Sequence, residues 1–408
     1  MNETPLTMRV ACLVNKFPAV TQTFVLNQIS GLLDRNQNVT IFARRRSRTE
    51  TSHNVVLDYG LAERVVYSRQ PSTYSEGTRT LVDTCLKLRS FEEVSIPNLL
   101  TNIRFGTQLP HRLANLRVIL DSGEFDVYHA HFGYVGNAFL RVADYRDQPF
   151  VVSFYGVDAS GHLRENPDRY DAVFDRADAI TVLSEDMRSD LVEAGCPAPK
   201  THIQPLCIDV EKFPYRARSR DGDEPIHVAT VGRFVEKKGI EYALRAMAEV
   251  ANTHRITYSI AGDGERRERI ESLIIELGLE DSVNLLGWQS QSEIVDLMHD
   301  AHLFLLPSVT AEQGDKEGTP TVLLEAQATG LPVVSTRHAG IPEIVADGES
   351  GILVPERDVG ALVDAIETLI RDPERREEMG ARGRDRIEQK HAIDVVCDDL
   401  LDLYQSLQ

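Results

Sequence analysis

The chain predicts an α/β fold made of two doubly wound domains. Three observations carry this expectation. Short apolar runs alternate with stretches of helical periodicity in both halves, which is the pattern of parallel strands buried on both faces. The alternation breaks once, between Pro205 and Pro225, in a segment that also holds Pro214 and a charged run. With 408 residues, the chain can bury two full cores.

Residues 8–14 read as the first strand, 23–33 as a helix and 39–43 as the second strand. Residues 44–120 are polar, irregular and partly helical. Short strands follow at 126–130, 150–154 and 179–183. Beyond the break, strands are expected at 226–231, 256–261, 283–286 and 303–308, with helices over 239–252, 265–277 and 292–301. Ile240, Ala243, Leu244 and Met247 share one face of the first of these helices. Further helices run from Asp358 to the end. The expected division is an N-terminal domain over 1–205, a linker over 206–225, a C-terminal domain over 226–391 and a final segment over 392–408.

Hydrophobic content of 42% and charged content of 26% are ordinary for a soluble globular protein. A net charge of −19 argues against a nucleic-acid partner, because neutralising phosphates needs clustered Lys and Arg. The five cysteines are scattered and form no Cys-x-x-Cys, so neither a disulfide framework nor a zinc site is expected. No apolar run approaches the roughly 20 residues of a membrane span, and the run at 10–14 is too short for a signal peptide. A cytoplasmic location is the resulting expectation. The basic run Arg44-Arg45-Arg46-Ser47-Arg48, with Arg104, His111, Arg112 and Arg117 further on, adds a second one. The N-terminal domain would contact an anionic membrane face peripherally, the alternative being a solvated loop.

The most informative stretch is Glu317-Gly318-Thr319-Pro320-Thr321-Val322-Leu323-Leu324-Glu325, which follows the strand signal at 303–308. Thr319 suits an N-cap and Pro320 a first helical residue. Glu317 would then sit in a loop ahead of a helix N-terminus, and Glu325 inside the helix. Free backbone N–H groups, a positive dipole end and two carboxylates around one pocket suit a ligand that carries both phosphates and hydroxyls. A nucleotide sugar meets that description.

This Glu-x7-Glu pattern, followed by Ala326-Gln327-Ala328-Thr329-Gly330-Leu331-Pro332-Val333-Val334-Ser335, resembles the retaining glycosyltransferases of the GT-B fold. The stretch 303–355, with Pro307-Ser308-Val309-Thr310 and Gly340-Ile341-Pro342-Glu343, looks most like their colanic-acid-biosynthesis type. The resemblance implies two Rossmann-like domains that face one another across a central cleft, with a last helix that crosses back onto the N-terminal one.

In Gly232-Arg233-Phe234-Val235-Glu236-Lys237-Lys238-Gly239, cations stand at the end of a strand. There they can neutralise a diphosphate and a departing nucleotide. The resemblance assigns that task to Arg233 and Lys238 and leaves Lys237 as a solvated neighbour. Gly262 and Gly264 are read either as a wall of the donor site or as a tight turn. In relatives the loop at Gly287 meets the nucleotide base. Trp288, the only tryptophan, would cover the base or pack half-buried. Gly318, Thr319, Pro320, Thr321 and Glu325 complete the implied donor site, with Glu325 on ribose hydroxyls and Glu317 beside the donor sugar as nucleophile or positioner. Glu343 is expected to cap a helix.

In the N-terminal half, Lys16, Gln22 and Thr23 lie in a loop and helix start that face the acceptor in relatives. Relatives carry Ser-Glu where this chain has Thr21-Gln22. The run His129-Ala130-His131-Phe132-Gly133 matches the subgroup's Ala-His-Phe-Gly and offers His131 as a cleft residue. In Phe154-Tyr155-Gly156-Val157-Asp158 the family's donor-contacting His is replaced by Tyr155, while Asp158 matches its acid. A phenol can donate one hydrogen bond but carries no positive charge near neutral pH.

The expected activity is transfer of a hexose-type sugar, with retention, from a nucleoside diphosphate (UDP by expectation) to a hydroxyl of a saccharide or lipid-linked glycan in polysaccharide biosynthesis. No metal and no resident cofactor are expected, since the nucleotide sugar is a substrate. Two alternatives are a nucleotide-sugar epimerase of the same fold and a non-catalytic nucleotide-sugar-binding protein.

Overall fold

The computed structural model describes residues 7–19, 22–47, 54–68, 76, 79–80, 83–84, 109–145, 147–217 and 224–408. Arg48 and Arg104 of the expected basic face, and most of the charged stretch of the linker, lie outside them. The described strands form two parallel sheets. The first holds β1 (Arg9–Phe17), β2 (Asn38–Arg46), β3 (Val65–Tyr67), β4 (Val127–His131), β5 (Phe150–Ser153), β6 (Ala179–Val182) and β7 (Thr201–Ile203) in the order β3-β2-β1-β4-β5-β6-β7. The second holds β8 (Ile226–Val231), β9 (Ile256–Ala261), β10 (Val283–Gly287), β11 (Leu303–Leu306), β12 (Val333–Thr336) and β13 (Gly351–Val354) in the order β10-β9-β8-β11-β12-β13. Each order reverses once, beside β1 and beside β8. Such switch points open a crevice at the carboxyl ends of the strands.

The strand sequences explain the architecture. Every residue of β4, β5, β6, β11 and β12 is buried, so these strands need a helical layer on both faces. β8 and β9 have the bounds expected from the sequence. β3 and β7, of three residues each, escape a sequence reading because they are too short to show a period.

The helix Ile393–Ser406 ends the chain. Its Leu400, Leu403 and Tyr404 enter the core formed by β1, β2 and the helix Thr23–Asp34. Gly31 of that helix leaves room for Cys397: a Cβ there would stand 2.5 Å from the cysteine sulfur. An isolated parallel bridge between Ile208 and Ala392 ties the connection after β7 to the start of the last helix.

Across the cleft the C-terminal loops clasp the helix Glu185–Glu193. The Lys316 ammonium lies 2.7 Å from Asp190 and 3.4 Å from Asp186. The Glu343 carboxylate accepts the Glu185 N–H at 2.8 Å, so it caps a helix of the other half of the chain. Gly318 comes so near the Tyr155 carbonyl that a Cβ would stand 2.0 Å from its oxygen, and glycine alone fits.

The basic run behaves less uniformly than expected. Arg44 is half-buried and bonds Asn15 Oδ1 at 3.3 Å. Arg45 and Arg46 are exposed. Among the described residues no helix is long and apolar enough to cross a membrane.

Candidate functional site

A cavity of about 460 Å³ opens at the carboxyl end of β8, between the two halves of the chain. Arg233, Lys238, Gly262, Trp288, Glu317, Thr321 and Glu325 line it from the C-terminal side, and Thr23 from the other. The volume lies within the range of about 300–1,000 Å³ usual for small-molecule sites.

Two neighbouring lysines follow β8 in the short helix Glu236–Lys238. Lys238 Nζ stands 3.0 Å from Glu317 Oε1, and both side chains are about nine-tenths buried. Lys237 is not the solvated neighbour expected from the sequence. It is buried, pairs with Asp315 at 3.0 Å and donates to the Lys316 carbonyl at 3.0 Å. Both lysines line the cavity, Lys237 bracing the loop through Asp315 and Lys238 meeting Glu317. Arg233 is exposed and has no carboxylate partner among the described residues.

The helix Thr321–Ala328 starts later than expected. Pro320, with ψ 106°, is its cap rather than its first residue, and no side chain caps the end. The Thr319 hydroxyl is buried without a partner instead of capping. The first turn holds no acidic residue, and Thr321 and Val322 line the cavity. The uncapped N–H groups and the positive dipole end therefore face the space where Arg233 and Lys238 converge.

The two carboxylates differ electrostatically. Burial pulls Glu317 up, but Lys238 and then Lys237 bring it below the usual carboxylate range. It is ionised at neutral pH. Glu325, within the helix and half-buried, is pushed up to about 7 by burial, with Lys238 opposing.

Other sequence expectations are corrected. The Tyr155 hydroxyl lies 2.7 Å from His131 Nδ1, and its ring packs on Phe24 and Phe132 at 4.6 and 4.8 Å between centroids. It does not line the cavity. His131 is fully buried, 3.3 Å from Cys12 Sγ and stacked on His129; burial takes its pKa to about 3, which removes it as a proton carrier near neutrality. Asp158 is buried and accepts the N–H groups of Gly133, Tyr155 and Gly156 at 2.9–3.0 Å, so it braces the loop that meets Gly318. These three residues sit on strands or turns covered on both sides, where the sequence pattern does not reveal which face meets the cleft. Lys16 is exposed at the end of β1, and Gln22 precedes the helix Thr23–Asp34 without capping it; neither lines the cavity.

On the donor side, Gly264 packs on the Phe234 backbone and Gly318 on Tyr155. Gly287 does not line the cavity; its carbonyl accepts the N–H of Gly262, which does, at 2.7 Å. Trp288 is 68% exposed while lining the cavity, which rules out the half-buried packing role. The sequence reading missed Asn27, Asp209, Lys212, Gln289 and Gln291, which also line the cavity. Asp209 and Lys212 pair at 2.8 Å within the linker, where no motif marks them. Among the described residues no group of three or more His, Cys, Asp or Glu is arranged to hold a metal ion.

Comparison with known proteins fits this geometry. Residues 211–386 match the family model for glycosyl transferases group 1, and residues 21–212 match the model for glycosyltransferase family 4. WcaL of Salmonella typhimurium, a glycosyltransferase assigned to colanic acid biosynthesis, is 32% identical over 98% of this chain and 100% of its own length. The amylovoran biosynthesis glycosyltransferase AmsK of Erwinia amylovora is 32% identical over 87% of this chain and 89% of its own. Among solved structures, Anabaena HepE in complex with UDP and glucose superposes with a TM-score of 0.74 at 17% identity, covering 98% of this chain and 100% of that one. Sucrose-phosphate synthase from Thermosynechococcus elongatus gives 0.74 at 19% identity, over 98% and 99%. The chain belongs to the GT-B glycosyltransferases, in the group that holds the colanic acid and amylovoran biosynthesis relatives.

Proposed function

We propose that this glycosyltransferase moves a hexose-type sugar, with retention, from a UDP-sugar to a hydroxyl of a saccharide or lipid-linked glycan during polysaccharide assembly. The observation that carries the reading is the Lys238–Glu317 pair, at 3.0 Å, set between an uncapped helix N-terminus and a half-buried Glu325. Arg233, Lys238 and the first-turn N–H groups hold the diphosphate and stabilise the charge that grows on it as the sugar departs. Glu325 accepts from ribose hydroxyls. Glu317, ionised, faces the positive charge that builds on the reacting carbon, and both roles open to it need that ionised form. The acceptor enters from the side of Thr23, Asn27 and the linker. Its proton passes to the leaving phosphate oxygen on the same face. The two cations supply the charge that a metal supplies elsewhere, so the proposed reaction is metal-independent. A lipid-linked acceptor would bring the exposed Arg45 and Arg46 toward an anionic membrane surface.

The test is a panel of UDP-, GDP- and ADP-sugars, with and without EDTA. Binding is followed by the fluorescence of Trp288, the single tryptophan, and products by NMR of the anomeric proton. Saturable quenching by UDP and an anomer-retaining glycoside, unaffected by EDTA, are the expected results. A donor altered without transfer would point to an epimerase, and binding without turnover to a non-catalytic protein.

Glu325 gives the site a pH dependence. Ribose hydroxyls donate to the carboxylate, so UDP favours the ionised form. With the free carboxyl titrating near 7, UDP affinity should rise by up to about tenfold from pH 6 to pH 8. The Glu325→Gln variant retains only the phosphate's own titration, which both proteins share. A ratio of the two affinities that stays constant over this range would remove Glu325 from the ribose site.

A further inference from the structure

We infer that His338 is a positioning residue for Glu317, acting through the main chain of that residue as a fixed hydrogen-bond acceptor. This rests on the reading of Glu317 as the carboxylate beside the donor sugar. His338 follows β12 and is 1% exposed. Its Nε2 lies 3.0 Å from the Glu317 nitrogen. A backbone N–H can only donate, so Nε2 carries no proton and the ring proton sits on Nδ1. That proton points at Glu356 Oε1, 2.7 Å away, beyond β13. The same carboxylate accepts the Thr310 N–H at 2.8 Å and the Thr310 hydroxyl at 3.2 Å.

Glu317 lies near the end of the connection 307–320, an irregular stretch that must still hold one carboxylate in place. Glu356 fixes its start at Thr310, and His338 fixes its end at Glu317. The acceptor at Glu317 and the donor to Glu356 are two nitrogens of one rigid ring. The position of the loop end is therefore referred to β12 and β13 rather than to the loop itself. Lys238 holds the Glu317 side chain, whereas His338 holds the backbone that carries it. Losing that hold lets the carboxylate drift while the diphosphate ligands stay put, and displacements near 1 Å cost about 10²-fold in rate.

The experiment compares three variants in the full chain. Hydrogen exchange at the Glu317 amide is read in the unliganded protein. UDP affinity is read by Trp288 fluorescence. Turnover is read with whichever sugar nucleotide the wild type uses. In His338→Ala the amide should exchange roughly tenfold faster, as loss of one buried hydrogen bond implies. Turnover should fall by about 10- to 100-fold, with UDP affinity held within about twofold. His338→Gln, whose amide oxygen reaches the place of Nε2, should restore both readouts. His338→Asn, which reaches only the place of Nδ1, should not. Equal behaviour of Gln and Asn, or an unchanged Glu317 amide in Ala, overturns the inference. Should Ala not fold, the Gln–Asn comparison decides alone. If no sugar nucleotide is turned over, the proposed activity fails, while the amide exchange still decides the role of His338.

Discussion

Lys238→Ala is expected to lower turnover by about 10²–10³-fold, the usual cost of removing one preorganised donor to developing charge. Two contacts end together in this variant. The diphosphate loses an ammonium held in a water-poor pocket, and Glu317 loses its nearest cation, at 3.0 Å. Burial is the largest influence on Glu317 and acts upward, so without Lys238 its pKa must rise. A weaker hold on the ionised form adds to the rate loss. Arg233→Ala should cost less, about tenfold or more, because its guanidinium is exposed and works against solvent screening. Steady-state kinetics at limiting and saturating donor check both. Near-normal values in both variants would withdraw the phosphate assignment.

The same pair shows where the sequence was legible and where it was not. Arg233, Lys238, Glu317 and Glu325 stand at strand–loop–helix junctions, and a junction is a local pattern that the chain spells out. β8 and β9 were equally clear, because parallel strands are written as short apolar runs. Lys237 against Lys238 was not clear. Which of two adjacent lysines pairs with Asp315 and which with Glu317 depends on residues far along the chain. His338, Glu356, Lys316 and Asp190 act through partners 18 to 130 residues away, so no spacing rule announces them. Tyr155 failed for another reason. The resemblance placed a donor contact at its position, but its hydroxyl is taken by His131, which the sequence offered as a separate cleft residue. Thr319 failed because Pro320 takes the extended cap conformation, which moves the helix start one residue on.

Glu317→Gln is expected to move turnover and binding in opposite directions. The carboxylate contributes in two ways. It stabilises charge at the reacting carbon, and it occupies the Lys238 ammonium when no diphosphate is bound. Glutamine keeps the shape and the backbone contact to His338 Nε2, so the loop should stay in place. It removes the negative charge, so turnover should fall by at least about 10²-fold, as for other groups that stabilise developing charge. It also releases Lys238 from a buried ion pair. Strong partners in such pairs compete with an incoming anion for the same cation. UDP should therefore bind at least as tightly to Glu317→Gln as to the wild type. A contact used only for binding would give the reverse pattern, with weaker UDP affinity and a preserved maximal rate. Trp288 quenching by UDP and single-turnover kinetics separate the two cases. Loss of UDP affinity together with an intact maximal rate would place Glu317 among the binding groups and leave the reacting carbon without its carboxylate.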